Sequence, residues 1–87
     1  MPFTCLDVAN AADLGTPKQS GSELSFHCPI HRPDNHPSLK INVKKNVFGC
    51  FPCGVKGTPW QLAAFVSGND PADKERVKDW LRDHGLL

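Results

Sequence analysis

The sequence Cys28-Pro29-Ile30-His31 is followed, eighteen residues later, by Cys50-Phe51-Pro52-Cys53. These two pairs and the segment between them decide the fold. Two residues between ligands let a tight knuckle aim both side chains at one ion, and two knuckles complete a tetrahedron. Thiolate and imidazole are the donors that suit Zn²⁺. Four protein ligands leave no open position for an activated water. Cys28, His31, Cys50 and Cys53 are therefore expected to hold one structural Cys3His zinc, and no catalytic residue is assigned.

Between the pairs, Leu39-Lys40-Ile41-Asn42-Val43-Lys44 alternates with period two. Lys45-Asn46 reads as a two-residue turn, and Val47-Phe48-Gly49-Cys50 returns, so the expectation is a β-hairpin that delivers Cys50 to the ion. Leu39, Ile41 and Val43 would face the core; Lys40, Asn42 and Lys44 would face outward. This register pairs Phe48 with Val43 and buries it, whereas a one-residue slip would turn it out. Leu24-Ser25-Phe26 reads as a shorter strand. Pro29, Pro33 and Pro37 break the chain into a loop that carries His31, Arg32 and His36. His27 lacks the knuckle spacing and reads, like His36, as a surface residue.

Helices are expected on both sides of the ribbon. Thr4 caps the first, with Asp7 completing a capping box, Phe3 and Val8 forming a staple, and Gly15 as the stop. Cys5 inside it reads as a buried, inert thiol. Residues 15–22 read as a loop. Thr58 caps the next helix, with Pro59 first and Trp60 to Val66 filling it. Asp70 caps the last, Pro71 starts it, Val77, Trp80 and Leu81 form its buried stripe, and His84-Gly85 close it. The predicted architecture is α+β: a zinc ribbon, with a small antiparallel sheet carrying the zinc site at one end, one N-terminal helix and two C-terminal helices.

With 87 residues, the chain reads as a single domain over 1–87 with a ribbon core of about 24–57. A domain this small often needs a metal or disulfides to supplement its core. No apolar run approaches the 18 residues of a membrane span, and the start lacks a signal-peptide pattern. A cytoplasmic, reducing location is expected, where paired cysteines read as metal ligands sooner than as disulfides.

The net charge of +1 conceals segregation. Residues 27–57 hold Arg32, Lys40, Lys44, Lys45 and Lys56 against Asp34, a charge of +4. The flanking segments are mildly acidic. A basic excess on a ribbon suits phosphate contact. Phe51, at the second knuckle, offers a face on which a base can stack.

The chain resembles the CHC2-type zinc-binding domain of bacterial and phage DNA primases. The resemblance rests on Ser25-Phe26-His27-Cys28-Pro29-Ile30-His31, Pro37-Ser38-Leu39, Cys50-Phe51-Pro52-Cys53-Gly54 and Gly57, and extends from about residue 5 to about residue 68. Thr58 stands where the family often has an acidic residue; either can cap a helix. The carboxylate cluster of the family's polymerase module has no counterpart, so the chain is not expected to make primers alone. The resemblance implies a template-reading module that contacts single-stranded DNA in replication. Its implied partners are a primase polymerase domain or subunit and the replicative helicase. The competing reading is a zinc ribbon used only to dock to a helicase or a separate polymerase subunit.

Overall fold

The computed structural model describes residues 3–28 and 38–87. Its elements run α1 (Cys5–Ala11), β1 (Lys18–Ser20), β2 (Glu23–Phe26), β3 (Leu39–Asn42), β4 (Val47–Cys50), β5 (Val55–Gly57), α2 (Pro59–Ser67) and α3 (Lys74–Asp83). The strands form one antiparallel sheet in the order β1-β2-β3-β4-β5, each paired with its sequence neighbour.

Local chemistry sets most boundaries where the sequence put them. Thr4 Oγ1 accepts from the Asp7 N–H at 3.1 Å, and Asp7 Oδ2 accepts from the Thr4 N–H at 3.0 Å. That capping box satisfies two donors at the start of α1. Phe3 and Val8 are both buried in the core cluster. Thr58 precedes α2, its N–H donating to Gln61 Oε1 at 2.9 Å, with Pro59 at the first helical position. A Cβ on Gly57 would collide with that same Gln61 carboxamide, which is why a glycine joins β5 to α2. Gly68 (φ 74°) and Gly85 (φ 73°) follow α2 and α3 in the left-handed region.

Several boundaries differ from expectation. The segment 15–22 is not all loop: Lys18–Ser20 pairs with β2 through a tight turn at Gly21-Ser22. Residues 55–57 add a fifth strand. α1 ends at Ala11, before Gly15, because Asp13 already adopts φ 55°. Asp70 does not cap α3. Its side chain instead accepts from the Ala72 N–H at 2.9 Å and its carbonyl from the Asp73 N–H, making a turn, and Asp73 caps the helix through Arg76 N–H.

The β3–β4 turn spans four residues, 43–46, not two. Ile41, not Val43, therefore pairs with Phe48. The shift is two residues, an even number, so Phe48 still faces the core. Val43 falls off the end of the ladder and is 44% exposed, and Lys44 lies in the turn instead of on the strand face.

The core lies between one face of the sheet and the helices. Phe26, Leu39, Ile41, Phe48 and Cys50 point into it from the sheet, and Val8, Leu62, Ala63, Ala64, Val77 and Leu81 from the helices. Phe48 and Phe65 stack at 6.1 Å between ring centroids. Trp80 is half-buried and stacks on His84 at 4.2 Å, so it edges the stripe that Val77 and Leu81 bury fully. The β3–β4 turn is tied to α1, since Asn46 Oδ1 accepts the Cys5 N–H at 2.8 Å.

Candidate metal centre and sheet surface

Three cysteines converge at one end of the sheet. Cys28 follows β2, Cys50 ends β4, and Cys53 lies in the turn between β4 and β5. Their sulfurs all lie within 4.8 Å of one another, and Cys28 Sγ and Cys53 Sγ are 3.7 Å apart. The knuckle closes with the Gly54 N–H donating to the Phe51 carbonyl at 3.0 Å, and Gly54 takes φ 67°, which reverses the chain into β5. Ser38 Oγ lies 3.8 Å from Cys50 Sγ. His31, the fourth expected ligand, lies outside the described residues, as do Arg32 and His36.

The donor set fits zinc. A Zn–S bond of about 2.3 Å places two sulfurs of a tetrahedron about 3.8 Å apart. The Cys28–Cys53 separation matches that edge. All four cysteines of the chain are thiols. Burial, reinforced by the neighbouring thiols, pushes Cys53 up to about 12, and burial is also the main cause that raises Cys50. Crowded thiols resist forming several anions side by side; a divalent cation among them reverses that preference. Cys5 stands apart from this cluster, fully buried in α1, and burial alone pushes it up to about 11. His27 is exposed next to Cys28, as its spacing suggested.

The other expected site residues divide into two places. Lys40 and Lys56 lie on the sheet face away from the helices, one on each side of Gly49 in a single cross-strand row. The row continues through Ser25 to Lys18, so Lys18, Lys40 and Lys56 align across all five strands. Nothing in Lys18-Gln19-Ser20 distinguishes a strand from a loop, so the sequence alone does not place Lys18 in this row. Lys44 and Lys45 are exposed in the β3–β4 turn, the end of the hairpin opposite the cysteines, where the Lys45 N–H donates to Asn42 Oδ1 at 2.9 Å. Phe51 is 95% exposed beside Cys50.

A ribbon of antiparallel strands with a thiol cluster at one end, packed on helices, defines a zinc ribbon of α+β class. The family model for the CHC2 zinc finger of primases matches residues 8–79, and the chain belongs to that family. The DNA primase of Mycoplasma pneumoniae is 38% identical over 56 residues, 64% of this chain and 8% of the relative. That of Enterococcus faecalis is 33% identical over 63 residues, 71% of this chain and 10% of the relative. The crystal structure of Aquifex aeolicus primase, comprising zinc-binding and RNA polymerase domains, superposes with a TM-score of 0.70 at 25% identity. That match covers 95% of this chain and 19% of the other. The chain thus spans a tenth or less of the curated relatives it matches. No helix among the described residues is long and apolar enough to cross a membrane.

Proposed function

We propose that this chain is a template-reading zinc module of primer synthesis, in which one structural zinc, held by Cys28, His31, Cys50 and Cys53, fixes a sheet that binds single-stranded DNA. The observation that carries this reading is the row Lys18, Lys40 and Lys56 on the solvent face of the sheet, beside the exposed Phe51 ring. Lysines spaced along a groove meet successive phosphates, and an aromatic face stacks a base without demanding its identity. Lys44 and Lys45 at the turn extend the positive surface, and Arg32 is proposed as a further phosphate contact.

The zinc works at a distance from the DNA. It ties the end of β2 to the β4–β5 knuckle and so sets the spacing of the three strands that carry Lys40, Gly49 and Lys56. It supplies no chemistry to bond making. Primer synthesis then falls to a separate polymerase domain or subunit, with the replicative helicase as a further partner, and this module holds the template.

The test is fluorescence anisotropy of a labelled single-stranded oligonucleotide over a salt series. The expected result is binding that weakens as salt rises and is largely lost in a Lys40/Lys44/Lys45→Ala variant that keeps its zinc. No binding at low salt would favour the docking-only alternative.

A further inference from the structure

Gly49 is a glycine that the fold does not need. It sits inside β4, paired with Lys40 on one side and Lys56 on the other. Its φ is not positive, so the backbone makes no demand for glycine. A Cβ added there would meet Lys56 Cβ and the Val55 carbonyl oxygen at 3.8 Å, which is ordinary contact. A glycine inside a strand weakens it and often marks a place where another group approaches closely. Here the missing side chain opens outward, on the face away from the core.

What it opens is a groove of about 690 Å³, with Gly49 as its floor, Lys40 and Lys56 on either side and Phe51 and Val47 along its length. Neighbouring strands lie about 4.8 Å apart, so the two lysine backbones stand roughly 10 Å from each other across the floor. Lys56 makes no ion pair among the described residues. Lys40 Nζ lies 3.7 Å from Glu23 Oε1, with both side chains about half exposed at 57% and 45%. A pair that exposed is weak enough for a phosphate to displace it.

We infer that the Gly49 groove is a subsite for one nucleotide of the bound single strand: its base lies flat on the Gly49 backbone against Phe51, and Lys40 and Lys56 hold its flanking phosphates. This rests on the proposed binding of single-stranded DNA and adds that the contact at this point is to a base and not only to the backbone. The charges match a phosphodiester on each side. The floor is apolar, with Val47 and Phe51 each exposed to solvent, as a base face requires. Any side chain at 49 would occupy the place of the ring.

The experiment compares Gly49→Val and Gly49→Ala with the wild-type chain on two labelled probes, a single-stranded oligonucleotide and the same length made of abasic sites. Zinc content and circular dichroism are recorded for each variant. The expected result is a loss of about tenfold or more on the normal oligonucleotide for Gly49→Val, the scale of one lost base stack. A smaller loss is expected for Gly49→Ala, and unchanged binding of the abasic probe for both. Gly49→Ala, whose Cβ fits the strand, keeps the test informative if Gly49→Val misfolds. Wild-type affinity of both variants for the normal oligonucleotide overturns the subsite while leaving the wider DNA reading in place. An equal loss on the abasic probe also overturns it, since the groove would then hold only backbone. A wild-type chain that binds neither probe overturns both readings.

Discussion

Cys28 Sγ and Cys53 Sγ stand 3.7 Å apart although 25 residues separate them in the chain. Cys28 arrives from the end of β2 and Cys53 from the turn that leads out of β4, with the whole of β3 between them. That spacing is the edge of a tetrahedron built on Zn–S bonds. A zinc held by these sulfurs would tie the end of β2 to the knuckle.

Chelation should therefore dismantle the sheet. Binding of a structural zinc contributes on the order of 10 kcal/mol in small domains, comparable to the whole native stability of many. Excess chelator is expected to collapse the amide dispersion of β2, β3 and β4 in an NMR spectrum, and added zinc to restore it. A spectrum unchanged by complete zinc removal would show that the helices and apolar core hold the ribbon alone.

Asn46 is expected to matter more than an exposed turn residue usually does. It adopts φ 56°, which asparagine tolerates better than most residues. Its Oδ1 also accepts the Cys5 N–H at 2.8 Å. Asn46→Ala loses both and should cost about 1–3 kcal/mol, read from urea unfolding of the zinc-loaded protein. Asn46→Asp keeps the acceptor at the positive end of α1 and should cost much less. Equal midpoints for wild type and Asn46→Ala would contradict this.

Cys5 should make stability fall at high pH. Burial raises its thiol from 9.0 to about 11, so the folded state favours the protonated form. Below about pH 9 both states keep the proton and the contribution is fully present. Between about pH 9 and 11 the unfolded chain releases the proton and the folded one does not, so stability falls by about 1.4 kcal/mol per pH unit. Cys5→Ala lowers stability at neutral pH through a small cavity, but its profile should be flatter over that window. Parallel profiles for the two proteins would remove Cys5 as the source.

Lys18 should behave like Lys40. If all three lysines of the cross-strand row touch phosphates, Lys18→Ala, Lys40→Ala and Lys56→Ala should each reduce the slope of log affinity against log salt by about 0.7. A slope that responds to Lys40 and Lys56 but not to Lys18 would confine the DNA to the half of the sheet nearer β5.

Much of this was legible because the deciding signals are local. A knuckle needs only two residues between ligands, and Leu39, Ile41 and Phe48 announce their faces by alternation. The Thr4–Asp7 capping box follows from three-residue spacing, and Thr58 before Pro59 marks the start of α2. What escaped was set by partners elsewhere in the chain. β1 is three residues long and exposed throughout, so no pattern in Lys18-Gln19-Ser20 marks it; β2 makes it a strand. β5 likewise exists because Cys53 and Gly54 turn the chain back along β4. Val43 continues the alternation of β3, but the turn needs four residues and takes it out of the ladder. Asp70 has the composition of a helix cap, yet spends its side chain on the Ala72 N–H. The lysine row was invisible for the same reason as β1: only a five-stranded register brings Lys18 into line with Lys40 and Lys56.

The Cys3His zinc site is tested most directly by X-ray absorption at the zinc edge on the purified chain, with the metal counted by mass spectrometry. The expected result is one zinc per chain, surrounded by three sulfurs at about 2.3 Å and one nitrogen at about 2.0–2.1 Å. That coordination should be lost in Cys28→Ser, Cys50→Ser and Cys53→Ser and retained in Cys5→Ser. A chain without zinc, a shell of four sulfurs, or a site that depends on Cys5 would contradict it.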